Sequence, residues 1–476
     1  MDAGHPPCFV RLPLLLLPLL CGAAPAAAAP TGGSDVAATG EFWHITDLHL
    51  DPTYHLAEDP TKVCYSSKGV PATHAGLFGD FLCDSPYRLI QSAFSHMAPL
   101  TRPEDFIVWT GDSPPHVPAD ELSTDIVIQV ISNMTQTIRQ HFPNLTVYPA
   151  LGNHDYWPQD QMPTSTNDIY RAAAQLWKPW LQPEALLTLS QGDVSSSAAL
   201  KVFLSRFVFC PVPAGGFYSQ LVKPGLRVVS LNTILYYGPD KVTRNMTDPA
   251  GQFEWLEQTL EKAAQSLEKV WNLSLKPDLV TYRTLNVAFF LLQVYIIAHV
   301  PVGYLPFARN TTAIRESHNE RLVAICRDYS HVIAGHFYGH THRDSIMVLL
   351  DKQGGHFNMG TYGDWLTSGA SLKWTFEELQ FNKSVMSSLC SASSLCRLEY
   401  IMTEAFGLAD LQPRSLLQLG LSFMLPQTKA FDKYFGHYMV GYNSSIVCEG
   451  ACKVSQVCAV LHLDRLSYSK CVAKGE

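Results

Sequence analysis

Short apolar or β-branched runs punctuate this chain, and each ends in a polar cluster. Phe42 to Thr46 leads into Asp47, Phe106 to Thr110 into Gly111-Asp112, Thr146 to Leu151 into Gly152-Asn153, Val294 to Ala298 into His299, and His331 to Ala334 into Gly335. Runs of this length and composition read as strands, and the polar residues after them fall where strands give way to loops. Between the runs lie helical patterns at Ser85 to Met97 and Thr124 to Gln140. Alternating strands and helices predict an α/β fold, whose sites gather at the carboxyl ends of strands.

The clusters carry a coherent chemistry. Asp47-x-His49, Gly111-Asp112, Gly152-Asn153, His299 and Gly339-His340-Thr341-His342 supply two carboxylates, one amide and four imidazoles. Imidazole suits zinc or iron, and a carboxylate can bridge two cations, so the set fits a pair of metal ions. On extended backbone, residues i and i+2 point to one side, which would aim Asp47 with His49, and His340 with His342, into one cleft. Glycine ahead of three clusters lets the backbone turn closely there. Each piece alone has a plainer reading: His299 as a structural histidine, Gly152-Asn153-His154-Asp155 as an Asx-type turn. The ordered series of five, each after an apolar strand, is what carries the metal reading. Asp51, Asp155 and Asp344, beside the motifs, read as hydrogen-bond partners or surface groups.

Composition narrows the setting. The 476 residues are 47% hydrophobic, enough to bury a large core. Lys+Arg 34 against Asp+Glu 42 gives a net charge of -8, and no basic stripe interleaves with aromatics. Polymeric nucleic acid is therefore excluded as a partner. In the first thirty residues Arg11 is the only Lys or Arg, Leu14 to Leu20 is apolar, and Ala23 to Ala29 is small, as in a cleaved signal segment. Twelve cysteines and seven Asn-x-Ser/Thr sites (Asn133, Asn144, Asn245, Asn272, Asn310, Asn382, Asn443) agree with an oxidising compartment. Spacing leaves disulfide connectivity open, and the pairing adopted here is Cys64 with Cys83, Cys448 with Cys452, and Cys458 with Cys471. We expect a secreted or lysosomal monomer without a stable membrane anchor.

The strings FWHITDLHLDPTY, IVWTGDSPPHVP, YPALGNHDYWPQDQ, YIIAHVPVGYLP and FYGHTHRDSIMVL resemble the calcineurin-like metallophosphoesterase superfamily, and within it the acid sphingomyelinase-like phosphodiesterases. The resemblance implies two facing mixed β-sheets flanked by helices, with a small disulfide-pinned helical C-terminal region. It also implies two zinc ions: Asp47, His49 and His342 on one, Asn153, His299 and His340 on the other, Asp112 bridging. A metal-bridging hydroxide would attack phosphorus. His154, next to the ligand Asn153, is the candidate proton donor, and the matching family histidine implies phosphate contact for His116. A histidine acid must be protonated, so activity should extend below neutral pH. Purple acid phosphatases carry Tyr three residues after the bridging Asp to bind ferric iron, whereas this chain has Pro115, which favours zinc. The implied substrate is a small nucleotide-type phosphodiester or phosphoanhydride. A phosphomonoesterase, or a catalytically impaired binding protein, are the alternatives.

Residues 1–29 are expected as signal, 30–396 as catalytic domain and 397–476 as the C-terminal region that braces it. Segments 190–214, 271–293 and 351–396 depart from the family pattern. The last of these should leave His340 and His342 less firmly held.

Overall fold

The computed structural model describes residues 42–190, 215–265, 267–269, 289–306, 311–350, 378–380, 402–411, 413–425, 429–439 and 446–475. The expected signal segment and nearly all of the three atypical segments lie outside the described residues.

The described strands in chain order are β1 (Phe42–Thr46), β2 (Phe106–Trp109), β3 (Thr146–Pro149), β4 (Tyr218–Lys223), β5 (Leu226–Ser230), β6 (Leu267–Lys269), β7 (Phe289–Leu291), β8 (Gln293–Ile297), β9 (Tyr304–Leu305), β10 (Thr311–Thr312), β11 (Ile333–Phe337) and β12 (Glu378–Gln380). The first sheet has order β12-β1-β2-β3 and is parallel throughout; the second has order β11-β8-β5-β4 and is mixed, because β4 and β5 form an antiparallel hairpin. Parallel strands covered on both faces read as continuous apolar runs, and FWHIT and FIVW are buried at every position.

The crossover helices are amphipathic for the same reason. Helix α1 (Tyr87–Met97) joins β1 to β2, and α2 (Thr124–His141) joins β2 to β3. In α2, Val127, Val130, Ile131, Met134 and Ile138 form one buried stripe, and the Ser123 hydroxyl caps the start by accepting from Ile126 N–H.

The two sheets face each other across one core. Phe42 stacks on Phe106 at 5.2 Å and meets Phe337 of the other sheet edge-on at 5.0 Å. The Tyr218 hydroxyl donates to Pro149 O at 2.8 Å. Aromatic pairs of this kind contribute about 1 kcal/mol beyond area burial. Because β1, β2 and β3 run parallel to one another, and β5, β8 and β11 do likewise, the loops after β1, β2 and β3, and those after β8 and β11, emerge along common edges.

One strand end differs from expectation. β11 runs through Gly335 to Phe337 instead of stopping at Ala334, since Gly335, His336 and Phe337 pair with Tyr295, Ile296 and Ile297 after a bulge.

Beyond α3 (Asp168–Trp177), α4 (Pro183–Ser190), α5 (Gln252–Gln265) and α6 (Glu316–Asp328), the C-terminal helices are α7 (Met402–Phe406), α8 (Pro413–Ser422), α9 (Lys429–Tyr438), α10 (Ala451–Leu461) and α11 (Arg465–Gly475). Helices α8 to α10 pack on the same core, where Val348 N–H donates to Val460 O at 2.7 Å and Arg343 lies over Tyr438 at 5.0 Å, while Tyr468 of α11 stacks on Tyr304 at 3.9 Å in a small separate cluster. Disulfides Cys64–Cys83, Cys448–Cys452 and Cys458–Cys471 form as paired from the sequence. The first and third close loops of 19 and 13 residues, each contributing about 3 kcal/mol. Of the described glycosylation candidates, Asn144 and Asn245 are exposed and Asn133 is half-buried. No helix among the described residues is long and apolar enough to cross a membrane.

Candidate metal centre

β1 ends at Thr46 because the chain then leaves the extended region. Asp47 and His49 have φ of 52° and 38°, and Asp112, His340 and His342 have 60°, 73° and 51°. The expectation of extended backbone at Asp47–His49 and His340–His342 therefore fails: left-handed turns, not pleat alternation, aim these side chains. Each such residue costs on the order of 1 kcal/mol, least for Asp, Asn and His. Five of the eight positive-φ non-glycine residues among those described meet at this one place, so the surrounding bonds must hold them.

Those bonds interlock the first three loops. Asp47 N–H donates to Gly111 O at 2.9 Å, His49 N–H to Asp112 O at 3.1 Å, and Leu50 N–H to Ser113 O at 2.8 Å. Buried Asp155 then accepts from the N–H groups of Asp112 (2.8 Å), Ser113 (3.0 Å) and Gly152 (2.8 Å). It is thus the hydrogen-bond partner expected from its position. Burial and the Asp112 charge push its carboxyl up to about 6. The glycines act through close approach: a Cβ on Gly152 would overlap the Asp112 carboxylate, and one on Gly339 would overlap Thr46 and Asp47.

All seven expected ligands converge. Asp112 Oδ2 lies 3.0 Å from His299 Nε2 and 3.6 Å from His49 Nε2, while its Oδ1 accepts from His154 N–H at 2.8 Å. On one side, His49 Nε2 is 3.0 Å from His342 Nε2, and Asp47 Oδ1 is 3.2 Å from His342 Nε2 and 3.7 Å from His49 Nε2. On the other, Asn153 Oδ1 is 3.0 Å from His299 Nε2 and 2.9 Å from His340 Nδ1. Ligand atoms bound at about 2.0–2.2 Å around a tetrahedral ion stand about 3.3–3.6 Å apart, so these spacings suit coordination.

The donor chemistry agrees. His49 Nδ1–H donates to Pro114 O and His299 Nδ1–H to Thr110 O, each at 2.8 Å, which leaves Nε2 of the neutral ring as a bare lone pair. The Asn153 amide is oriented by Nδ2 donating to Asp160 Oδ1 at 3.0 Å, so its oxygen faces the histidines. With the rings neutral, the Nε2 lone pairs of His49 and His299 thus face carboxylate and amide oxygens, an arrangement that a cation satisfies.

Without a cation, charge on the histidines answers the carboxylates instead. Burial opposes charge on Asp47, yet His342 and His299 hold it well below the usual carboxylate range. Burial also opposes charge on His299, but Asp112 and Asp47 carry it up to about 9. Asp47 is further held by His340 N–H at 3.0 Å, and Gly339 N–H donates to His299 O at 3.0 Å. These bonds tie His340 to the first sheet, while nearly all of the segment expected to leave His340 and His342 less firmly held lies outside the described residues.

His116 and His154 sit beside this cluster. His116 lies 4.1 Å from the His49 ring and 4.3 Å from the His154 ring, centroid to centroid. Ring nitrogens or carboxylate oxygens of His49, Asp112 and His154 fall within 4.8 Å of one another, as do those of His49, His116 and His342. Burial pushes His154 well below the ordinary histidine range, and burial with His49 pushes His116 to about 4. Both shifts favour the neutral ring over the imidazolium expected of a histidine acid.

The sequence reading missed three groups. Buried Asp84 accepts from His116 Nδ1 at 3.1 Å and from its backbone N–H. Asp160 orients Asn153, and Tyr237 stands edge-on to His340 at 4.9 Å. Only the closeness of Asp84 to Cys83, and of Asp160 to the Asn153 motif, was there to suggest them.

A fold of two sheets edged by clustered carboxylates, histidines and an amide defines a metal-dependent phosphoesterase. The calcineurin-like phosphoesterase family model matches residues 40–344, and the model of the acid sphingomyelin phosphodiesterase C-terminal region matches residues 372–476. Human cyclic GMP-AMP phosphodiesterase SMPDL3A is 48% identical over 466 residues, covering 93% of this chain and 92% of its own. Its mouse counterpart is 47% identical, covering 96% and 97%. Human acid sphingomyelinase-like phosphodiesterase 3b is 34% identical, covering 92% and 91%. The chain belongs to the acid sphingomyelinase-like family of calcineurin-like phosphoesterases and is a metal-dependent phosphodiester hydrolase.

Proposed function

We propose that this chain is a two-zinc phosphodiesterase acting on nucleotide-type small molecules, cyclic dinucleotides among them, in a secreted or lysosomal setting. The observation that carries this reading is the shared oxygen: Asp112 Oδ2 faces His49 of one ligand group and His299 of the other. Asp47, His49 and His342 would hold one ion, Asn153, His299 and His340 the second. Imidazole-rich donors and Pro115 in place of a ligating tyrosine favour zinc. When bound, two such ions supply an activated water and neutralise the phosphoryl charge.

The chain's own residues prepare that chemistry. His154 N–H fixes Asp112 so that one carboxylate oxygen is presented to both groups. His49 and His299 are locked in the tautomer that leaves Nε2 bare. His116, held by Asp84 through Nδ1–H, and the neighbouring His154 ring stand beside the site as contacts for the phosphodiester. Such positioned groups matter most when the leaving group is poor. A nucleotide-type substrate is supported by the name of the 48% identical relative. Three formed disulfides support an oxidising compartment.

The test compares a cyclic dinucleotide and bis(p-nitrophenyl) phosphate with p-nitrophenyl phosphate. Diesters should turn over at least about tenfold faster, a barrier difference of about 1.4 kcal/mol. Faster cleavage of the monoester would favour the phosphomonoesterase reading instead.

A further inference from the structure

His116 depends on one residue for its place. Pro114 and Pro115 before it have no N–H, so the loop after β2 has few donors with which to anchor itself. Every hydrogen bond that His116 makes to the described residues goes to Asp84: its backbone N–H donates to Oδ2 at 2.5 Å, and its Nδ1–H to the same carboxylate at 3.1 and 3.3 Å.

Asp84 is fully buried and lies in the loop joining β1 to α1, which carries the Cys64–Cys83 bridge. That loop has little core of its own. Val63, Cys64, Ala72 and Cys83 form a buried cluster separate from the main one, and so few side chains do not offset the entropy of ordering the loop. The disulfide is the staple that gives the loop a fixed shape.

The bridge brings Ser66, which follows shortly after Cys64, against Asp84, the residue after Cys83. Asp84 N–H donates to Ser66 Oγ at 2.8 Å. A hydroxyl has a single proton, and Ser66 donates it to Asp51 Oδ2 at 2.5 Å, with its own N–H reaching the same oxygen at 3.2 Å. Asp51 is in turn tied to the ligand loop: its N–H donates to Ser85 O, and Ser85 N–H donates to His49 O, each at 3.0 Å. One continuous set of bonds thus fixes His116 relative to His49, the ring it faces at 4.1 Å.

We propose that Ser66 and the Cys64–Cys83 bridge position His116: the stapled loop delivers Ser66 to Asp84, and Asp84 holds the imidazole beside the metal centre. The inference rests on the reading of His116 as a contact for the phosphodiester. Ser66 bonds to none of the seven metal ligands, so the loop acts on the substrate and not on metal binding.

The test uses the full chain as Ser66→Ala, which keeps the disulfide, as Cys64→Ala with Cys83→Ala, which removes it, and each again in a His116→Ala background. With a cyclic dinucleotide as substrate, kcat/KM should fall about tenfold in Ser66→Ala and at least as far without the disulfide, as when a positioning partner is lost, with metal content unchanged. In the His116→Ala background neither change should lower kcat/KM further, because residues that act through one group are not additive. Ser66→Ala decides the matter where removing the cysteine pair unfolds the chain. Unchanged kcat/KM in Ser66→Ala, a loss that persists in full without His116, or a loss matched by loss of metal overturns the proposal. If His116→Ala itself leaves kcat/KM intact, the reading of His116 as a substrate contact fails, an outcome distinct from the others.

Discussion

The two sheets contribute unlike halves to the metal centre. Loops after β1, β2 and β3 supply Asp47, His49, Asp112 and Asn153, and they are zipped to one another by backbone bonds and by the Asp155 hub. Loops after β8 and β11 supply only imidazoles, His299, His340 and His342. These join the first half largely through the site: His299 Nδ1 to Thr110 O, and His340 N–H to Asp47. The carboxylate half is therefore built as a unit, and the imidazole half is docked onto it. A preorganised half of this kind spends left-handed backbone, held by neighbouring bonds, to place charges.

The sharpest way to break the comparison is Gly152→Ala, whose Cβ would displace the Asp112 carboxylate. Diester turnover should fall at least about a hundredfold with loss of metal affinity, as for changes that misplace a ligand. Turnover within twofold of wild type would show that the interlock is not needed.

Asp155→Ala should act on stability first. It strands three buried N–H groups, and we expect a loss of about 3–5 kcal/mol by denaturant titration. A loss below about 1 kcal/mol would mean the loops hold without the hub.

Acid should weaken the fold by a different route. Burial lowers His44 to about 4 and His336 to about 3, against 6.5 for the free residue. Between pH 6.5 and about 4 the unfolded chain binds protons that the folded chain refuses, so stability is fullest above 6.5 and falls as pH drops. The slope should reach on the order of 2–3 kcal/mol per pH unit for the two groups together. A flat profile over that window, or no flattening in His44→Gln, would contradict it.

Asp84→Asn should have the smallest effect, lowering turnover of diesters with poor leaving groups about tenfold while sparing p-nitrophenyl esters. Equal loss on both would assign Asp84 a purely structural role.

Much of this site was legible in the chain. Apolar runs ending in Asp47, Asp112, Asn153 and His299 mark strand ends because burial on both faces leaves no alternation to misread. What the residues could not show was conformation: nothing in Asp47-x-His49 announces left-handed backbone, although Asp and His tolerate it better than most. Partners distant in sequence were equally hidden, Asp84 being 32 residues from His116 and joined to it only by the fold. The end of β11 was misplaced because Gly335 reads as a breaker, whereas there it sits inside a bulged strand.

In the proposed centre Asp112 is shared by two metal ions. Metal content and diester turnover measured together, on wild type and Asp112→Asn, test it most directly. Wild type should hold two zinc ions per chain, and Asp112→Asn at most about one, with turnover reduced at least about a hundredfold. An Asp112→Asn protein that keeps both ions and full turnover would contradict it.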